Sequence, residues 1–165
     1  MRLAVGFALA AVTVGPHGIG TVRFGEPQRV AVAGLRVLFG APTRHLPNPG
    51  CGSRFREVEW RHLYAEFRSG RFEGFRYLLG GWSINRAPGA PPPADTVVPK
   101  LVTAKGIMLG DTLSRVRAAY GLLRPVGTDR WESPDGLVFY DNAKHDPESP
   151  SSRIVEIKIG TCGDF

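Results

Sequence analysis

Two stretches of the chain carry apolar residues at helical spacing. In the first, Val30, Ala33, Val37 and Leu38 fall on one face, with Pro27 suited to the first helical position and Gly40 to the residue past the end. In the second, Leu113, Val116 and Tyr120 share a face, Asp111 or Thr112 can cap the start, and Gly121 ends it. Elsewhere the period is two. Residues 56–60 and 63–67 read as strands, Ser69-Gly70 turns the chain, and residues 71–78 continue the pairing. Later, Pro134-Asp135-Gly136 turns into strands at 137–140 and 153–159, with a polar loop between them.

Alternation also assigns sides. Leu63, Ala65 and Phe67 face one way, and Tyr64, Glu66 and Arg68 the other. Phe72 belongs with Phe67, but Phe75 and Tyr77 have the opposite parity, so a bulge is expected at Glu73-Gly74. In the matched strand, Val155, Ile157 and Ile159 read as inward, Glu156 and Lys158 as outward.

The two sets of elements resemble each other. Gly20-Thr-Val-Arg-Phe-Gly25, a helix and Phe39-Gly40 are answered by Gly106-Ile-Met-Leu-Gly110, a helix and Tyr120-Gly121. Each opens on a short strand and glycine and leads into further strands. Between them residues 87–94 form a proline-rich extended stretch. The expected organisation is a first unit over 12–86, a linker over 87–99 and a second unit over 100–165, giving an α+β fold in which two related helix-plus-antiparallel-sheet units form a curved sheet with helices on one face.

Composition narrows the function. The 165 residues are enough for a real core. No apolar run reaches the roughly 18 residues of a membrane span. The net charge of +6 is uneven: residues 1–90 hold 12 basic and 5 acidic side chains, residues 91–165 hold 9 and 10. The densest stretch, 54–76, mixes arginines with Glu57, Glu59, Glu66 and Glu73, as a solvated sheet face does, whereas tracking a phosphate backbone calls for one sign. Nucleic acid is therefore not the expected partner. No catalytic motif is present, and the four histidines lie in no metal-ligand spacing, so neither a metal nor another cofactor is expected. Residues 1–11, with Arg2 and an Ala-rich apolar run, read as a signal-peptide remnant with a strand beginning near residue 12, the alternative being a first strand that runs on into Val12-Thr13-Val14. Cys51 and Cys162, both in glycine-flanked loops, read as one disulfide, the alternative being two unrelated thiols.

The segment Gly110-Asp-Thr112-Leu-Ser-Arg-Val116-Arg-Ala-Ala-Tyr120-Gly121, followed by strands, resembles the helix-then-sheet unit of the small outer-membrane-assembly lipoproteins. Two such units in tandem are similar in plan to the secreted β-lactamase inhibitor protein. Gly18-Ile-Gly-Thr-Val-Arg-Phe-Gly25 with Gly160-Thr-Cys162-Gly-Asp164 more closely resembles uncharacterised exported proteins of high-GC Gram-positive bacteria. The resemblance implies helical layers on a curved antiparallel sheet, an exported location and a Cys51–Cys162 bridge. It implies no reaction, and no inhibitory contact residue carries over by motif.

The expected function is thus a secreted or cell-envelope binding module without catalysis, using the outer sheet face against another extracytoplasmic protein. Its candidate residues are Tyr64, Glu66, Arg68, Arg71, Arg76, Tyr140 and Lys158, because tyrosine and arginine anchor protein interfaces. Two alternatives stand beside it: a small cell-envelope enzyme using Glu66 and His62 as acid and base, and a weak polyanion binder using the arginine-rich first half.

Overall fold

The computed structural model describes residues 11–47, 54–79, 100–142 and 152–160. The fold is mixed α+β, mostly sheet. The elements are β1 (Val12–Gly15), β2 (Gly18–Ile19), β3 (Val22–Arg23), α1 (Gln28–Phe39), β4 (Arg44–Pro47), β5 (Phe55–Trp60), β6 (Leu63–Arg68), β7 (Arg71–Leu78), β8 (Leu101–Thr103), α2 (Leu113–Tyr120), β9 (Arg124–Pro125), β10 (Arg130–Glu132), β11 (Val138–Asp141) and β12 (Ile154–Ile159). One sheet has the order β3-β2-β1-β8, with β1 and β8 parallel. The other has eight strands in the order β4-β5-β6-β7-β12-β11-β10-β9, and all its pairings are antiparallel.

That order places β7 against β12 at the centre of the sheet. The surroundings of the two helices match in detail. Before α1, Glu26 accepts from the Arg23 N–H; before α2, Asp111 accepts from the Met108 N–H. Gly25 N–H donates to Phe72 O and Phe72 N–H to Glu26 O, while Gly110 N–H donates to Ile154 O and Ile154 N–H to Asp111 O. Gly25 and Gly110 have φ of 86° and 87°, a left-handed backbone that costs glycine nothing.

Two bulges interrupt the large sheet. Phe67 pairs with Phe72 but Glu66 with Gly74, leaving Glu73 as the extra residue, as the alternation predicts. Asp141 pairs with Ile154 but Tyr140 with Glu156, leaving Val155 extra at the same place in β12. Val155 is buried but stands outside the core cluster. The inward residues of β12 are Ile154, Ile157 and Ile159, which corrects the parity read from the sequence.

The core lies on one face of the large sheet. Val58, Trp60, Leu63, Ala65, Phe67, Phe72, Phe75, Phe139 and Ile157 pack there against Ala31 and Leu35 of α1, Leu113, Val116 and Tyr120 of α2, and Val14, Ile19 and Val22 of the small sheet. Trp60 Nε1 donates to Gly40 O at 2.9 Å, and the ring centroids of Tyr120 and Phe139 are 5.3 Å apart.

Three local expectations change. The buried face of α1 is not Val30, Ala33 and Val37; Val30 and Val37 are 53% and 86% exposed. The helix turns Ala31 and Leu35 inward because Gly34 lets its backbone close on Val22, where a Cβ would come within 2.6 Å of Val22 Cγ2. Pro27 is the residue before the helix, one position earlier than expected. Residues 106–110 are turns, and the short strand precedes them as β8. The proline-rich stretch around His45 contributes β4, which has proline at its end as edge strands tolerate. Cys51, Cys162, residues 1–10 and the linker over 87–99 lie outside the described residues, so the structure does not bear on the disulfide, the amino-terminal reading or the linker.

Candidate functional site

The face of the large sheet turned away from the core is built by register. Antiparallel pairing sets Arg44, Glu59, Tyr64, Arg76, Lys158, Val138, Glu132 and Arg124 side by side, one from each of the eight strands. Opposite charges come into contact at both ends of this row. Arg44 Nε meets Glu59 Oε2 at 2.7 Å, and its second nitrogen reaches Glu59 Oε1 at 3.3 Å. At the far end Arg124 pairs with Glu132.

Arg76 is the hub. Its Nη2 lies 2.6 Å from Glu57 Oε1, its Nε lies 3.3 Å from Glu66 Oε1, and its guanidinium carbon sits 4.9 Å from the Tyr64 ring centroid. Burial acts to lower its pKa most strongly, but Glu57, Glu66 and Glu156 together outweigh burial and hold it above the ordinary arginine value. Glu66 is 1% exposed. Its carboxylate lies over two glycines: a Cβ on Gly74 would stand 3.1 Å from Glu66 Oε2, and one on Gly160 would collide with the same oxygen. The glycines of β7 and of the turn after β12 therefore form the seat of this carboxylate.

Two further arginine–aromatic pairs share the face. Arg68 stands opposite Phe55 with 5.9 Å between guanidinium carbon and ring centroid, and Arg130 stands opposite Tyr140 at 5.4 Å. In all three pairs the partners are directly opposed across adjacent strands, the arrangement in which cross-strand side chains interact most strongly.

The residues selected from sequence thus share a face, but not equally. Tyr64, Glu66 and Lys158 are buried and Arg76 nearly so; they are packed into the ion-pair layer instead of being displayed. Arg68 and Tyr140 remain partly exposed. Arg71 is exposed at the rim, where its Nη1 donates to Gly25 O at 2.7 Å. Sequence reasoning missed Phe55, Arg130 and Arg44, and treated Glu57 and Glu59 as solvated. Parity within residues 55–60 could have found Phe55, Glu57 and Glu59. Arg44 and Arg130 required strands that the pattern did not reveal.

Of the two residues in the acid–base alternative, Glu66 is buried and engaged by Arg76, and His62 lies in the turn before β6. Among the described residues, no group of three His, Cys, Asp or Glu side chains could hold a metal ion, and no helix is long and apolar enough to cross a membrane. No protein-family model matches the chain, and neither a curated protein nor a solved structure matches it.

Proposed function

We propose that this chain is an exported, non-catalytic binding module that engages another protein through the outer face of its eight-stranded sheet. One observation carries the reading: three arginine–aromatic pairs, Arg68/Phe55, Arg76/Tyr64 and Arg130/Tyr140, stand on one face at fixed register. Arginine and tyrosine bind well when their rotamers are already held, because little side-chain entropy is then lost on association. The buried layer of Glu57, Glu66, Arg76 and Lys158 supplies that rigidity. Contact falls to the partly exposed Arg68, Arg130 and Tyr140.

The same reading takes the scaffold as a duplicated unit. Matched hydrogen bonds before the helices, matched bulges at Glu73 and Val155, and the meeting of β7 with β12 support it. Duplication joins two four-strand meanders into a face wide enough for a protein partner, in a plan similar to the β-lactamase inhibitor protein.

The test is capture from extracellular and envelope fractions with the wild-type chain and a R68A/R130A/Y140A variant, folding of both being checked by circular dichroism. The proposal expects a partner retained by the wild type and lost by the variant. A partner retained equally by both, or none at all, refutes it.

A further inference from the structure

A second feature lies on the helix side of the sheet. A groove runs between α1 and β4, the strand that ends the eight-stranded order. It comprises a cavity of about 470 Å³ lined by Gln28, Arg29, Val32, Ala33, Arg36 and His45. A neighbouring cavity of about 310 Å³ shares Gln28 and His45 and continues past Pro47 to Arg56.

The groove is electropositive. Arg29 and Arg36 are seven residues apart on α1, so they project from one helix face about 10 Å apart. His45 sits across from them on β4, on the core side of the sheet because it pairs with Val58. Among the described residues none of the three has an ion-pair partner. The acid at the far end, Glu57, is held by Arg76 at 2.6 Å, and the first turn of α1 contains no acidic residue. Between the cations the lining is apolar, with Val32 and Ala33 on one wall and Pro47 beyond.

We infer that this groove takes an acidic, extended peptide segment of a partner protein, laid along β4. An extended chain turns every second side chain to the same side, about 6.6 Å apart, so the side that faces α1 can offer successive carboxylates to Arg29 and Arg36 across Val32 and Ala33. An edge strand beside a groove is the setting for peptide recognition by strand addition. The cavity between α1 and His45 shares no lining residue with the outer sheet face, so each site can fail without the other.

The test is fluorescence anisotropy of the labelled octapeptide (Glu-Val)₄ at about 50 mM salt, where charge pairing is weakly screened. Saturable binding is expected, weakened at least tenfold in a R29A/R36A variant and unchanged in R68A/R130A on the opposite face. Arg29 and Arg36 are exposed, so their removal should leave the core untouched, with circular dichroism and Tm as the check. A (Lys-Val)₄ peptide should not bind. Absence of wild-type binding, equal binding by R29A/R36A, or loss in R68A/R130A overturns the inference. So does displacement of the peptide by inorganic phosphate or an octauridylate as effective as that by unlabelled peptide.

Discussion

Replacing Arg76 with methionine keeps the length of the side chain and removes its charge. In the wild type this guanidinium neutralises Glu57 at 2.6 Å and Glu66 at 3.3 Å, whose side chains are 7% and 1% exposed. The variant removes this counter-ion from two carboxylates that are both buried. Breaking a buried pair in this way costs about 3–5 kcal/mol. For a chain of this length each kcal/mol moves Tm by roughly 2–4 °C, so a fall of roughly 6–20 °C is expected. The assay is urea unfolding of both proteins at matched pH, with thermal melts alongside. Adding E57Q and E66Q to the variant should restore more than half of the loss. A deficit below about 1 kcal/mol, in the range of an exposed pair, would refute the claim that Arg76 is the hub.

Three other outcomes follow from the same structure. Gly74→Ala should destabilise by about 2–3 kcal/mol, because the new methyl meets backbone: it falls on Ile159 O and 2.7 Å from Gly160 Cα, neither of which can yield; urea midpoints measure this, and a neutral effect would deny the close approach of β7 to the end of β12. Thr112→Ala should cost about 1 kcal/mol, since Thr112 Oγ1 accepts from the Arg115 N–H at 3.1 Å as the cap of α2; helical amide exchange in α2 should rise with it. Burial raises the pKa of Tyr77 and Tyr120, so in spectrophotometric titration both should ionise above the ordinary value of about 10. Above about pH 10 the unfolded chain releases phenolic protons that these two retain, and stability should decline as pH climbs further.

The strands with strong alternation were legible because burial on one side imposes period two. Tyr64, Glu66 and Arg68 were correctly placed opposite Phe67, and the odd parity of Phe72 against Phe75 located the bulge at Glu73. What the pattern could not show was how deeply the outer residues lie. Glu66 and Lys158 read as surface because charges are rarely buried; Glu66 is buried because the sheet supplies Arg76, Gly74 and Gly160 around its carboxylate. The face of α1 was misread for a related reason. Hydrophobicity favoured Val30 and Val37, whereas the approach to Val22 favours the smallest residue, Gly34. Short strands such as β9 and β10 leave too few residues for a period, and Arg130 was invisible as a partner of Tyr140 until register placed it there. The groove beside β4 joins residues far apart in the chain, and no local motif marks it.

The central claim, that the outer sheet face is the binding surface, is tested most directly by site-specific photo-crosslinking in the protein's native host. A benzophenone amino acid would replace Tyr140 on the outer face or, in a separate variant, Val37 on the exposed side of α1. The account predicts one discrete crosslinked protein from position 140 and not from position 37. Crosslinking to the same protein from position 37 alone, or no product from position 140, would contradict it.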